Sequence, residues 1–152
     1  MKPDNESEDR KMQQSPRRIV VGIDGSPPSE RALDWAIGEA QRTGTQLFLL
    51  TAWRSPTAFG HTFASTQPQV HQLAQEGIDK ATAHIHAIAP DVEVRGETVE
   101  HQSAAAALTD AAAEDDLLVV GRRGHGSFDD MHVGSVSEHC VRQARCSVVV
   151  VR

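Results

Sequence analysis

The chain has 152 residues, 39% of them hydrophobic and 24% charged, with a formal net charge of −6. That length suits one domain around one core, and the composition is not that of a disordered chain. The acidic balance argues against nonspecific binding to DNA or RNA and against an anionic membrane surface, and no apolar run reaches the ~20 residues a membrane-spanning helix needs.

Residues 1–16 are polar and charged and lack the apolar segment of a secretory signal. They are expected to form a disordered lead-in to one folded domain at 17–152. RIVVGID (18–24) is short, apolar and β-branched, so it predicts a buried strand that ends in the turn DGSPPS. The helical spacing that follows puts Ser29 at the N-cap, Gly44 at the C-cap and Trp35 in the core. TQLFLLTAW (45–53) predicts a second strand, with Trp53 at its end and near any ligand held there.

Residues 54–69 show no period and contain Pro56, Gly60 and Pro68, which predicts a long loop. Residues 70–89 follow a helical pattern with Leu73, Ile78, Ala81, Ile85 and Ile88 facing inward, ended by Pro90. VEVRGETVE (92–100) alternates apolar and polar residues, as a half-buried strand near a sheet edge does. SAAAALTDAAAE (103–114) predicts an alanine-rich helix capped by Ser103. LLVVG (117–121), SVSEHCVRQA (135–144) and SVVVV (147–151) predict a strand, a helix and a last strand. Strands alternate with helices throughout, which implies a mainly parallel, doubly wound α/β sheet with helices on both faces. In such sheets ligands sit at the C-terminal ends of the strands, where the strand order reverses.

Cys140 and Cys146 form no CxxC pair and are too few for a disulfide framework. They read as free thiols of a cytoplasmic protein, with Cys140 buried and inert. His84 and His86 read as surface residues.

The loop from Gly121 to Cys140, GRRGHGSFDDMHVGSVSEHC, carries the chemistry. Gly121, Gly124, Gly126 and Gly134 allow close backbone approach. Ser135 and Glu138 have capping-box spacing, so a helix N-terminus is expected to face this loop. Arg122 and Arg123 add positive charge, and Ser127, Ser135 and Ser137 add hydroxyls. Together these make an anion site, although a tight turn and a cap need no more than the same glycines. His125, His132 and His139, with Asp129 and Asp130 between, are metal-ligand types. Gly134 and the helix start separate the last histidine from the others, and independent solvated histidines account for the pattern. The Walker, dinucleotide and nucleophile-elbow motifs are all missing, and no nucleophile–base–orienter set stands out, so no dedicated catalyst is expected. The third strand ends in VEHQS, without the aspartate of a phosphoacceptor receiver domain.

The spacing Gly121-x₂-Gly124-x₉-Gly134-Ser135 resembles the G-x₂-G-x₉-G-(S/T) signature of the universal stress protein family. VGIDGS with Asp24, TAW at the end of the second strand, and a valine-rich last strand after Cys146 extend the resemblance over residues 17–152 in order. The resemblance implies a five-stranded parallel sheet of order 3-2-1-4-5, Rossmann-like and of the adenine nucleotide alpha hydrolase type. It implies an ATP-binding cytoplasmic sensor or regulator of the stress response, with at most slow ATP hydrolysis. Asp24 would approach the ribose and a Mg²⁺ carried by ATP. Gly22 and Ala52 would border the adenine. Gly121, Arg122, Gly124, His125, Gly126 and Ser127 would wrap the ribose and phosphates. Gly134, Ser135, Val136 and Ser137 would offer N–H groups and hydroxyls to the β- and γ-phosphates. A homodimer through the last strand is also implied, with no nucleic-acid or membrane partner. Asp129 and Asp130 stand where family loops often run apolar, and two carboxylates repel a triphosphate unless they bind Mg²⁺ or face water. The alternative is therefore a protein-interaction module of the same fold with a degraded phosphate loop.

Overall fold

The computed structural model describes residues 16–58, 61–62, 67–123 and 133–152. In chain order the elements are β1 (Arg18–Gly22), α1 (Pro27–Thr43), β2 (Gln46–Trp53), β3 (Thr57–Ala58), β4 (His61–Thr62), α2 (Gln67–Ile88), β5 (Val94–Glu100), α3 (Ala104–Ala111), β6 (Leu117–Gly121), α4 (Ser135–Gln143) and β7 (Ser147–Val151). Five strands form one parallel sheet in the order β5-β2-β1-β6-β7. Counting only these five along the chain, that is the expected order 3-2-1-4-5. The order reverses at β1, which pairs with β2 on one side and β6 on the other.

Strand periodicity divides the core into two layers. Ile19, Val21, Leu47, Leu49 and Val119 point to one face and meet α1 and α2 through Leu33, Ile37, Ile78 and Ile85. Val20, Phe48, Leu50, Leu118 and Val120 point to the other and meet Leu108 and Cys140 of α3 and α4. Gly44 closes α1 with φ 68°, in the left-handed region that favours glycine. Ser103 caps α3 by accepting from the Ala106 N–H at 3.2 Å. At the lower end of the sheet Arg18 donates Nε to Asp116 Oδ2 at 2.9 Å and Nη2 to the Ala111 carbonyl at 2.6 Å. Its guanidinium also lies 4.7 Å from the centroid of Phe48. This polar end lies opposite the strand ends that form the candidate site.

The structure corrects several expectations. The N-cap of α1 is Ser26, whose hydroxyl accepts from Ser29 N–H at 3.3 Å, and Pro27 and Pro28 open the helix. Ser29 is buried inside the first turn and instead braces the β1 end. Trp35 is 40% exposed, because it flanks the buried stripe of Ala32, Leu33, Ala36 and Ile37 instead of lying on it. Leu73 and Ile88 are exposed as well, and Ala74, Ile78, Ala81 and Ile85 form the inward stripe of α2. The predicted loop at 54–69 holds an antiparallel pair, Thr57↔Thr62 and Ala58↔His61, and α2 begins three residues earlier than its periodicity indicated. The Ser135–Glu138 capping box does not form: Gly134 is the N-cap, with no side-chain cap bond, and Glu138 pairs with Arg142 at 3.0 Å.

Candidate functional site

At the C-terminal ends of β1, β2 and β6 the chain leaves a cleft on the α3–α4 side of the sheet. Gly22, Asp24, Ala52, Gly121, Val136 and Ser137, all singled out by the sequence, line it together. β1 ends in a braced turn. Gly25 takes φ 75°, and Asp24 Oδ1 accepts from the Ser26 N–H at 2.9 Å and from the Ser26 hydroxyl at 2.5 Å. Asp24 N–H donates to Ser29 Oγ at 3.2 Å, and Ser29 Oγ donates to the Gly22 carbonyl at 3.3 Å. The Asp24 carboxylate is thus fixed at the mouth of the cleft by the same serine that caps α1.

The β6 side is held as closely. A Cβ on Gly121 would lie 2.6 Å from the backbone C and O of Pro28, so the first turn of α1 crosses the end of β6 at backbone contact. Arg122 N–H donates to the Val151 carbonyl at 2.7 Å, and Gly134 N–H to the Arg122 carbonyl at 2.8 Å. Ser137 Oγ lies 2.6 Å from the Gly121 carbonyl and 3.1 Å from that of Arg122. These bonds dock the first turn of α4 onto the strand end. The hydroxyl of Ser137 is thereby engaged with backbone carbonyls. The first helical bond of α4 runs from Glu138 N–H to the Gly134 carbonyl at 2.9 Å. The amides of Ser135, Val136 and Ser137 precede it, as the leading N–H groups of a helix do.

The remaining predicted residues divide. Ser135 lines a neighbouring groove, Gly134 is buried at the N-cap, and Arg122 is half-buried beside the strand end. Gly124, His125, Gly126 and Ser127 lie outside the described residues, as do Asp129, Asp130 and His132. The sequence reading missed the far wall of the cleft, where Ala104 and Leu108 of α3 face Arg123. The alanine run predicted a helix, but nothing in its composition indicated which strand ends the helix start overhangs.

Trp53 borders the neighbouring groove, and its ring lies 5.2 Å from that of His71, tilted by 40°. His84 is exposed on α2 and its Nε2 lies 3.0 Å from Asp34 Oδ1. Among the described residues no group of three or more His, Cys, Asp or Glu side chains could hold a metal ion. Cys140 is fully buried, and burial, with Cys146 nearby, pushes its thiol up to about 11. It is protonated at neutral pH and is no nucleophile. Among the described residues no helix is long and apolar enough to cross a membrane.

Known proteins resemble the chain in sequence and in fold. A universal stress protein of Mycobacterium tuberculosis (strain H37Rv) is 34% identical over 140 residues, covering 92% of this chain and 46% of that protein. The chain thus spans about half the length of the curated relatives it matches. A universal stress protein solved in complex with cAMP superposes with a TM-score of 0.62 at 28% identity, covering 91% of this chain and 99% of that one. The universal stress protein of Archaeoglobus fulgidus, solved in complex with dAMP, shares the fold at 18% identity with a TM-score of 0.63, covering 89% of this chain and 97% of that one. The model of the universal stress protein family matches residues 16–152. On that match, with the sheet order and the glycine-lined cleft already described, the chain belongs to the universal stress protein family.

Proposed function

We propose that the chain is a nucleotide-binding regulator of the stress response that takes an adenine nucleotide, ATP with Mg²⁺ in particular, into the cleft above β1 and β6. The observation that carries this reading is the convergence of Gly22, Asp24, Ala52, Gly121, Val136 and Ser137 at the point where the strand order reverses. Ala52, Leu108 and Val136 give a base an apolar slot, and the leading amides of α4 suit phosphate oxygens. The complex with cAMP of a 28% identical family member supports the same ligand class. In this reading Asp24 approaches the ribose and the nucleotide's Mg²⁺. The chain works in the cytoplasm as a homodimer through β7. It has no nucleic-acid or membrane partner and no dedicated catalytic set, and its hydrolysis of ATP is slow at most.

A second reading is a protein-interaction module that has lost its nucleotide. It draws support from the Ser137 hydroxyl and Asp24 Oδ1 both being engaged within the protein.

Thermal unfolding with millimolar AMP and ATP·Mg²⁺ separates the two. Ligand at a hundred times its Kd should raise the Tm of the wild type by roughly 5 °C or more. Ala104→Trp puts a large ring at an exposed position on the rim of the cleft. It should unfold at the wild-type temperature without ligand and lose the shift. A wild type that shifts with neither nucleotide returns the chain to the second reading.

A further inference from the structure

Beside the nucleotide cleft, and sharing Ala52, Ala104 and Val136 with it, lies a second groove between the end of β2, the start of α3 and the start of α4. Its charged and ionisable lining is Arg54, His101 and His139, and no carboxylate is among the lining residues. That is unexpected in a chain that carries 21 Asp and Glu against 15 Lys and Arg. Arg54 is exposed and has no carboxylate partner among the described residues, as is also true of Arg31. The Glu100 carboxylate, close to His101 in sequence, is hydrogen-bonded by Ser55 Oγ.

His101 is held with one nitrogen committed. Its Nδ1 accepts from the Ser103 N–H at 2.9 Å, so the ring proton of the neutral imidazole sits on Nε2. His101 N–H in turn donates to the Trp53 carbonyl at 2.8 Å, which fixes the residue to the end of β2. The imidazole is therefore a donor on a fixed backbone, at the edge of a site that the preceding section assigns to a nucleotide. His139 reaches the groove from α4 and also borders a second depression that contains Asp110, so Arg54 and His101 are the more dedicated pair.

We propose that this groove reads the outer phosphoryl groups of the nucleotide. Arg54 and His101, with His139 opposite, take the charge that distinguishes a nucleoside triphosphate from a monophosphate. The proposal rests on nucleotide binding in the adjoining cleft. It adds residues of this chain that set which nucleotide is preferred. The chemistry is charge-assisted hydrogen bonding from a guanidinium and an imidazole N–H to phosphate oxygens, with no covalent step.

The test is calorimetric titration of the whole chain with AMP, ATP·Mg²⁺ and inorganic tripolyphosphate, for the wild type and for Arg54→Gln, His101→Ala and the double variant. The wild type should bind ATP about tenfold or more tighter than AMP. The double variant should bring that ratio to about threefold or less, with most of the change in the ATP affinity, and should no longer bind tripolyphosphate. Circular dichroism and Tm establish that the variants are folded. Arg54→Lys keeps the charge and should restore part of the ratio, which a merely structural role would not do. Equal losses for AMP and ATP, or an unchanged ratio, overturn the proposal and leave the cleft assignment standing. Binding of AMP with no gain for ATP in the wild type does the same. If no nucleotide binds, both fall together.

Discussion

A single missing side chain decides how α2 reaches the sheet. A Cβ built on Gly96 would lie 2.3 Å from Ile78 Cγ2, well inside the distance real Cβ atoms keep. Gly96 lies in the middle of β5, directly opposite Leu49 of β2, so α2 packs onto the backbone itself. Gly96→Ala should therefore destabilise the fold by about 1–3 kcal/mol, the usual range for overpacking. Leucine lacks the β-branch methyl that would clash, and Ile78→Leu alone should cost less than about 1.5 kcal/mol. In the double variant the two losses should fall short of their sum by about 1 kcal/mol, as urea unfolding of the four proteins would show. Strict additivity would mean that the two positions do not touch. The sequence could not announce this contact. Alternation along residues 92–100 reports which side chains face the core, and a glycine has no side chain to report with.

Elements were legible where their signal is periodic and less so where it is a local hydrogen bond. The five sheet strands stand within two residues of where apolar runs put them, because strands buried between two helical layers have little choice of residue type. Helix starts were harder to read. Two serines in DGSPPSE compete for the turn before α1 only on paper: Ser26 takes the cap because the prolines at the next two positions already fit a first turn, where an N–H would have no intrahelical acceptor. The S-x-x-E spacing at 135–138 fits a capping box, yet Gly134 is the residue outside the helix, so Ser135 is already helical. Ile88 is in phase with Ala81 and Ile85 but ends its helix, where Ala89 and Val92 take the buried places. The cleft residues that came from the family spacing converge, whereas the α3 wall had no sequence signal, since alanines at 104–107 serve any helix. The α1 cap gives a test at this scale. Ser26→Ala removes the bond from Ser29 N–H and the hydroxyl bond to Asp24 Oδ1, and leaves the bond from the Ser26 N–H in place. It should cost about 1–2 kcal/mol in thermal or urea unfolding. It should also weaken the nucleotide-induced Tm shift beyond that loss, because the carboxylate at the cleft mouth is then held by the Ser26 N–H without the hydroxyl. Ser103→Ala removes a similar cap from α3 without touching Asp24, so it should lower stability and leave the Asp24 contribution in place.

At the scale of the whole molecule the two edges of the sheet are built differently. β5 carries Arg95, Glu97 and Glu100, with Glu93 just before it, and charged side chains keep a strand edge from pairing with another chain. β7 is Ser147 followed by four valines, each half-exposed, with no charge along its length. An edge of that composition is a template for a second copy, and antiparallel pairing of two β7 strands about a two-fold axis would close one ten-stranded sheet from two five-stranded ones. The flank of α1 joins that edge: Arg31 donates Nε to the Arg152 carbonyl at 3.2 Å, just past the end of β7. Trp35 lies one turn further along the same side of the helix and is 40% exposed. A large ring left uncovered beside an uncharged edge is what an incomplete interface looks like from one protomer. In the dimer proposed above, Trp35→Glu should therefore shift the sedimentation equilibrium toward monomer, weakening the association by about tenfold or more, as losses at buried aromatic anchors do. Because Trp35 lies outside the buried stripe of α1, the monomer should keep its Tm within a few degrees, by roughly the ±0.5 kcal/mol typical of surface changes. Dilution of the wild type should also change the fluorescence of one of its two tryptophans, and that change should vanish in the variant. A wild type that sediments as a monomer at high micromolar concentration would show instead that the valine edge is covered some other way.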